Sequence, residues 1–296
     1  MTNAAPTLEL RDAAVRREGA ALTAALSFSS TAQRVGLVGD WSALLQALTG
    51  QAQVAGGSVR VLGHALESAV AEGVLGLALC DPPLPGSFTV TEYFEHAARL
   101  SHGSASRAVR EAKHALERFG LNELARRKLS QTTVFQQRAV GIALACLTSP
   151  PAIWLESPLR DLDAPAAAYV ARLCLEAGVS SRVILSTPLP SSPSAERSLL
   201  DACDELFLLE RGVLVARGTS SQVLAPNGRY LLSLSGENSA AYEAALREAG
   251  CVVSPRDQLG DYVIELPPNG NTDLLLDSAL DQNVIVLELE PLSGST

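Results

Sequence analysis

The amino-acid sequence predicts an α/β protein with a mixed sheet, followed by a small α+β unit at its C-terminal end. Three observations carry the prediction. Short, largely apolar runs recur at 34–40, 73–80, 152–157 and 181–188. They have the length and composition of strands buried on both faces of a parallel sheet. Segments with helical spacing separate them. Beyond Arg229 the order becomes strand, helix, two strands, helix, strand, which is a compact two-layer pattern.

Each element follows from its local chemistry. LELRDAAV (8–15) and ALTAALSFS (21–29) alternate, and read as antiparallel strands around the charged turn Arg16-Arg17-Glu18-Gly19. RVGLVGD (34–40) is a buried strand with its exit loop. SALLQALTG (42–50) is helical, with Ser42 placed to cap its start and Gly50 to stop it. GGSVRVLG (56–63) and GVLGLALC (73–80) are strands. DPPLPGS (81–87) is a loop, dense in Pro and Gly. Helices follow over Thr89–Leu100, Ser106–Phe119 and 134–149, then the strand AIWLES (152–157). APAAAYVARLCLEAG (164–178) is a helix with Pro165 in its first turn. SRVILSTP (181–188) is a strand, Leu199–Ala202 closes a short helix, and 204–218 is a hairpin turning at Arg211-Gly212. In the tail, strands are expected at 229–236, 251–257, 261–267 and 284–291, and helices at 239–250 and 271–283.

Composition narrows the function classes. Hydrophobic residues make up 47% of the 296 residues and aromatic residues only 4%, so Leu, Val, Ala and Ile must build the core. The net charge of −9, with no evident basic stripe, argues against nucleic acid. The five cysteines form no C-x-x-C pair and read as reduced, mostly buried thiols of a cytoplasmic protein. The four histidines are scattered and form no metal-binding spacing, so no metal site is expected. No signal peptide is evident, and no apolar run approaches the ~20 residues of a membrane span.

The order of these elements resembles an ABC transporter ATPase along almost the whole chain. The N-terminal hairpin, GLVG, the loop before FTVTEYF, a long helix, AIWLESP, VILSTP and ERGVLVARG fall in sequence. The tail looks like the small C-terminal domain of ATPases of the drug- and antibiotic-export type. The resemblance implies a P-loop NTPase-like ABC ATPase core over 1–225, with a mixed sheet and a helical subdomain at about 88–150. A small βαββαβ domain over 229–296 would follow, with the boundary at Ala225-Pro226-Asn227-Gly228.

The family's ATP contacts are altered wherever the pattern locates them. The phosphate loop requires G-x-x-x-x-G-K-[ST]. Here Gly36 and Gly39 stand where the strand ends, and only Asp40, Trp41, Ser42 and Ala43 separate Gly39 from Leu44. The loop is about four residues short and lacks its lysine and second glycine. Ser42 still offers a hydroxyl, whereas Asp40 puts a negative charge beside any phosphate. The resemblance places Glu156 at the position of the Mg²⁺-supporting aspartate and Ser157 at that of the water-polarising glutamate. Serine is a poor general base near neutral pH.

The signature Leu-Ser-Gly-Gly-Gln falls on Thr132 to Gln136. Thr133 keeps a hydroxyl, but Val134 and Phe135 replace both glycines. Pro188 stands in place of the switch histidine, Cys80 at the Q-loop position, and Asp163 in the loop that crosses to a partner subunit, preceded by Asp161 where glycine is usual. No residue is therefore expected to be catalytic. The degenerate nucleotide positions are Gly36, Gly39, Asp40, Ser42, Cys80, Thr133, Glu156 and Asp163, and no cofactor is expected unless ATP and Mg²⁺ find a residual site.

The expected role is a non-hydrolysing, structural or regulatory subunit, cytoplasmic or peripheral to the inner face of the membrane. Its partners would be an ABC permease, an intact ATPase subunit or a second copy, with no direct membrane insertion. The permease would dock between Cys80 and Leu100, where Leu84, Phe88, Tyr93 and Phe94 suit a groove contact or the core. The alternatives are a regulatory module that has left transport and an ATPase with an unusual site.

Overall fold

The computed structural model describes residues 5–190, 194–210, 212–224, 229–235, 238–255, 261–267 and 272–291. The chain divides into two compact units, Met1–Val223 and Leu224–Thr296. The expected linker 225–228 and the hairpin residue Arg211 lie outside the described residues.

The first unit begins with β1 (Leu8–Arg17), β2 (Ala20–Ala21) and β3 (Leu26–Ser30). Then come β4 (Arg34–Gly39), α1 (Ser42–Leu48), β5 (Gln53–Val61), β6 (His64–Ala65), α2 (Leu66–Ala69) and β7 (Leu75–Ala78). A helical segment holds α3 (Val90–His102), α4 (Ala105–Arg118) and α5 (Val134–Ala145). The chain returns through β8 (Ala152–Glu156), α6 (Ala164–Ala177), β9 (Arg182–Thr187), α7 (Ala195–Asp201), β10 (Glu205–Glu210), β11 (Val213–Gly218) and α8 (Ser220–Val223).

A six-stranded sheet in the order β11-β10-β4-β9-β8-β7 forms the centre of this unit. All its pairings are parallel except β10 with β11, so the sheet is mixed, as predicted. A second, antiparallel sheet is built around β1, which pairs with β2, β3 and β5. Leu8, Leu10, Val15 and Phe28 of that sheet share one core with Leu37, Trp154 and Phe207 of the central sheet and with Leu44 of α1. The apolar runs that signalled buried strands are those whose residues reach almost zero exposure, such as Val35, Leu37 and Ile184.

Two strand expectations are corrected. The segment 21–29 is broken into β2 and β3, because the Thr23 hydroxyl takes the Val15 N–H at 3.1 Å in place of a ladder carbonyl. The hairpin turns on Glu18-Gly19, both at positive φ (50° and 84°), the conformation that two-residue hairpin turns favour. β5 also starts three residues earlier than expected, since Gln53 and Val54 pair with Arg16 and Val15. Gly57 (φ +64°) disguised that start. A Cβ there would lie 1.9 Å from the Arg11 carbonyl oxygen, so only glycine fits the bulge.

The second unit contains β12 (Arg229–Ser235), α9 (Ser239–Glu248), β13 (Val252–Pro255), β14 (Asp261–Glu265), α10 (Thr272–Asp281) and β15 (Ile285–Pro291). Its antiparallel sheet runs β13-β14-β12-β15. Leu232, Leu234 and Ile264 pack with Tyr242 and Leu246 of α9 and Leu275 of α10. The Tyr242 hydroxyl donates to the Leu275 carbonyl at 3.0 Å, which joins the two helices and satisfies a buried polar group.

Candidate functional site

β4, β8 and β9 end side by side, and their C-terminal ends open onto a cleft of about 430 Å³. Ligands of open α/β sheets bind at such strand ends. Gly39, Asp40, Trp41 and Ser42 line it from β4 and α1, Glu156, Ser157 and Arg160 from β8, and Ser186 to Leu189 from β9. The fold thus brings together six of the positions singled out in the sequence: Gly39, Asp40, Ser42, Glu156, Ser157 and Pro188.

The turn from β4 to α1 is built by three residues. Gly39 sits at φ +98°, and a Cβ there would lie 2.0 Å from the Leu209 carbonyl oxygen, so β4 and β10 approach too closely for any side chain. Asp40 folds its carboxylate over the start of α1. Its Oδ1 accepts from the Ser42 N–H at 3.1 Å and from the Ser42 hydroxyl at 2.6 Å. Trp41 turns inward and is only 2% exposed. Its Nε1 donates to the Val38 carbonyl at 2.9 Å, and its ring meets Phe28 edge-on at 5.9 Å. Ser42 was expected to cap α1. It is instead the first helical residue, Trp41 holds the cap position without a side-chain bond, and Asp40 supplies the carboxylate.

Glu156 is half-buried at the end of β8, and its Oε2 accepts from the Cys80 N–H at 3.2 Å. Cys80 is buried, and that burial raises its thiol pKa above the ordinary value. Ser157 is buried at φ +39°, a left-handed conformation rare for serine, and its N–H donates to the Ser186 carbonyl at 2.6 Å. Ser186 in turn accepts from Trp154 Nε1 at 2.9 Å. Ser186 and Thr187 are buried strand residues, in keeping with the strand expected over 181–188, while Pro188 lies just past the strand end and is exposed.

Two arginines take on roles that the sequence did not assign them. Arg138 of α5 is 3% exposed and donates to three main-chain carbonyls, those of Cys80 (3.0 Å), Pro158 (3.3 Å) and Arg160. It ties α5 to the loops after β7 and β8. Arg160 lines the cleft but pairs with Asp81 at 3.1 Å and Asp161 at 3.6 Å. An arginine at the polar start of an otherwise apolar helix was the signal for Arg138.

The remaining positions serve local structure. Gly36 lies inside β4, where a Cβ would meet Leu206 at 2.2 Å. Thr133 caps α5 in a reciprocal capping box with Gln136. Val134 is 55% exposed beside it, and Phe135 meets Tyr169 edge-on at 6.0 Å. Asp163 caps α6 by accepting from the Ala166 N–H at 2.9 Å. Asp161 adopts φ +59°, so this position keeps a left-handed backbone without glycine.

A second concavity, about 710 Å³, lies along the edge strand β7. Leu75 and Leu77 of β7, Tyr93, Ala97 and Leu100 of α3, and Leu144 of α5 line it. Tyr93 is the one residue of the four expected docking contacts that reaches this groove. Phe94 is fully buried core, and Phe88 packs edge-on against Tyr93 at 6.0 Å.

The daunorubicin resistance ATP-binding protein DrrA3 of Streptomyces coeruleorubidus is 28% identical over 262 residues, 87% of this chain and 73% of its own length. The chain is a relative of the ABC transporter ATP-binding proteins. An uncharacterized ABC transporter ATP-binding protein of Bacillus subtilis, YxlF, is 24% identical over 64% of the chain and 62% of its own length. The fold agrees. CbiO1 of Clostridium perfringens, part of the ABC transporter complex cbiONQ, superposes with a TM-score of 0.62 at 16% identity, covering 74% of this chain and 91% of cbiO1. An ATP-binding subunit of an ABC transporter gives 0.60 at 19% identity over 73% of this chain and 91% of its own. No family model matches the chain. The ABC-ATPase fold accounts for the mixed sheet, the helical segment and the strand-end cleft, and a small α+β unit follows it. Among the described residues no helix is long and apolar enough to cross a membrane, and no group of three or more His, Cys, Asp and Glu is placed to hold a metal ion.

Proposed function

We propose that this ABC ATPase-like chain does not hydrolyse ATP and acts as a structural or regulatory subunit beside a membrane permease, an intact ATPase, or both. The observation that carries the reading is the Asp40 carboxylate, which bonds the Ser42 N–H and hydroxyl at the start of α1. In the family those groups face phosphate and Mg²⁺. Here a fixed anion of the chain itself takes them, and it repels a polyphosphate.

The rest of the cleft supports the same reading. Among the described residues its acidic side chains are Asp40 and Glu156, its arginine Arg160 is engaged by Asp81 and Asp161, and no lysine lines it. Trp41 is turned into the core, which leaves no open phosphate loop. Ser157 and Pro188 offer no general base and no proton relay. These residues do not fit a nucleoside triphosphate with Mg²⁺.

The groove along β7 supports a permease partner. It offers the apolar contacts of Leu77, Tyr93 and Leu100, of which Tyr93 and Leu100 belong to the segment expected to dock one. Affinity purification of tagged chain from detergent-solubilised membranes tests this. Recovery of a polytopic membrane subunit is the expected result, lost with Tyr93→Asp. Recovery of soluble proteins alone would overturn the permease assignment.

A further inference from the structure

The whole-chain charge of −9 conceals a division. Between residues 88 and 150 there are nine Lys/Arg against five Asp/Glu, whereas the remainder holds fourteen against twenty-seven. The cationic surplus is carried by the helical segment, and most of it faces solvent. Arg99 of α3 and Arg107, Arg110 and Lys113 of α4 are all exposed, with His114 beside them. Arg107 pairs with Glu111 at 2.8 Å and Lys113 with Glu117 at 3.7 Å. Arg99 and Arg110 have no ion-pair partner among the described residues. Apolar side chains are exposed on the same hairpin, Leu100 at 78% and Val109 at 47%.

We infer that the solvent side of the α3–α4 hairpin is a contact surface for anionic lipid headgroups. Exposed cations, Arg99 and Arg110 without an ion-pair partner among the described residues, lie next in sequence to the exposed Leu100 and Val109, and this combination matches an interface that is negative outside and apolar beneath. Α soluble polyanion such as nucleic acid would attract the cations but gives no use to Leu100 and Val109. The hairpin also borders the β7 groove through Tyr93, Ala97 and Leu100, so lipid contact would hold that groove near the membrane. The inference concerns the isolated chain and does not rest on a permease or on nucleotide.

Co-sedimentation of the full chain with vesicles tests it. Vesicles of phosphatidylglycerol and phosphatidylcholine should bind the chain at low salt and release it at about 0.5 M salt, where charges are screened within a few ångströms. Vesicles of phosphatidylcholine alone should bind weakly. Each cation near an anionic surface is worth about fivefold in partitioning. The double variant Arg99→Glu, Arg110→Glu should therefore lose about 25-fold or more. Leu100→Ser should weaken binding without changing its salt dependence. The control Arg16→Glu, Arg17→Glu, on the β1–β2 hairpin, should bind like the parent. Thermal melts of each variant, expected to match the parent, check that the exposed substitutions leave the fold intact. The inference is overturned if the chain ignores anionic vesicles, if it binds a mixed-sequence RNA duplex but no vesicle, or if both double variants lose binding equally. Because no permease is present, failure here would leave the permease reading untouched.

Discussion

Trp41→Ala probes the turn from β4 to α1. The indole is 2% exposed, donates to the Val38 carbonyl at 2.9 Å and packs edge-on against Phe28 at 5.9 Å. Phe28 in turn stacks on Phe207 at 4.2 Å, so the tryptophan closes an aromatic cluster between the two sheets. Truncating a buried tryptophan costs about 3–5 kcal/mol through lost transfer energy and the cavity left behind. A value near 4 kcal/mol, divided by a urea slope of about 3 kcal/mol/M, lowers the unfolding midpoint by about 1.3 M. Intrinsic fluorescence is the suitable assay. The chain has two tryptophans, both in the first unit, and Trp154 remains as the reporter. Trp41→Phe keeps the ring contact and loses the N–H donor, so its cost should be well below that of alanine. A Trp41→Ala midpoint within about 0.3 M of the parent would refute the reasoning, because it would mean that the turn is not anchored in the core.

Two further expectations concern the same unit. Arg138→Met deprives three main-chain carbonyls of their donor. At about 1–3 kcal/mol for each buried group left unsatisfied, a loss of about 3 kcal/mol in urea unfolding is expected, and a loss under about 1 kcal/mol would contradict the role given to it. The second concerns alkaline pH. Burial pushes the Cys146 thiol up to about 11 and the Cys203 thiol up to about 12, from an ordinary value of 9.0. The folded chain therefore holds protons that the unfolded chain releases above pH 9. This contribution is complete below pH 9 and is lost as pH rises through 11 to 12. The urea midpoint should fall between pH 8 and pH 10.5, and the paired variant Cys146→Ala, Cys203→Ala should flatten that fall. An unchanged slope in the variant would contradict it.

Much of the fold was legible because burial on both faces leaves a plain trace. Strands such as 152–156 are apolar at almost every position, and no helix of that length needs to be. The helix starts at Val134 and Ala164 were legible, the second from Pro165 in its first turn, whereas the caps Thr133 and Asp163 are seen only in the structure. The break at Thr23 was not legible, because a side-chain hydroxyl replaces a ladder partner only once the strands have paired. Nor was the early start of β5, which depends on a long-range partner and on a bulge at Gly57.

In the cleft, the sequence singled out positions such as Asp40, Ser42 and Glu156 but not the contacts they make. The inward turn of Trp41, the bond from Ser42 to Asp40 and the carbonyl clamp of Arg138 are tertiary facts. A lone tryptophan between a strand and a helix is equally compatible with an exposed loop.

The central claim is that the strand-end cleft does not take a nucleoside triphosphate. Calorimetry and thermal melts of the purified full chain with millimolar Mg-ATP test it most directly. Bound ligand at about 100 times its Kd stabilises a protein by roughly 2.7 kcal/mol, a shift of several degrees that is readily measured. The account predicts no binding heat and no shift in the melt. Micromolar affinity, with a melting shift that Asp40→Asn increases, would contradict it.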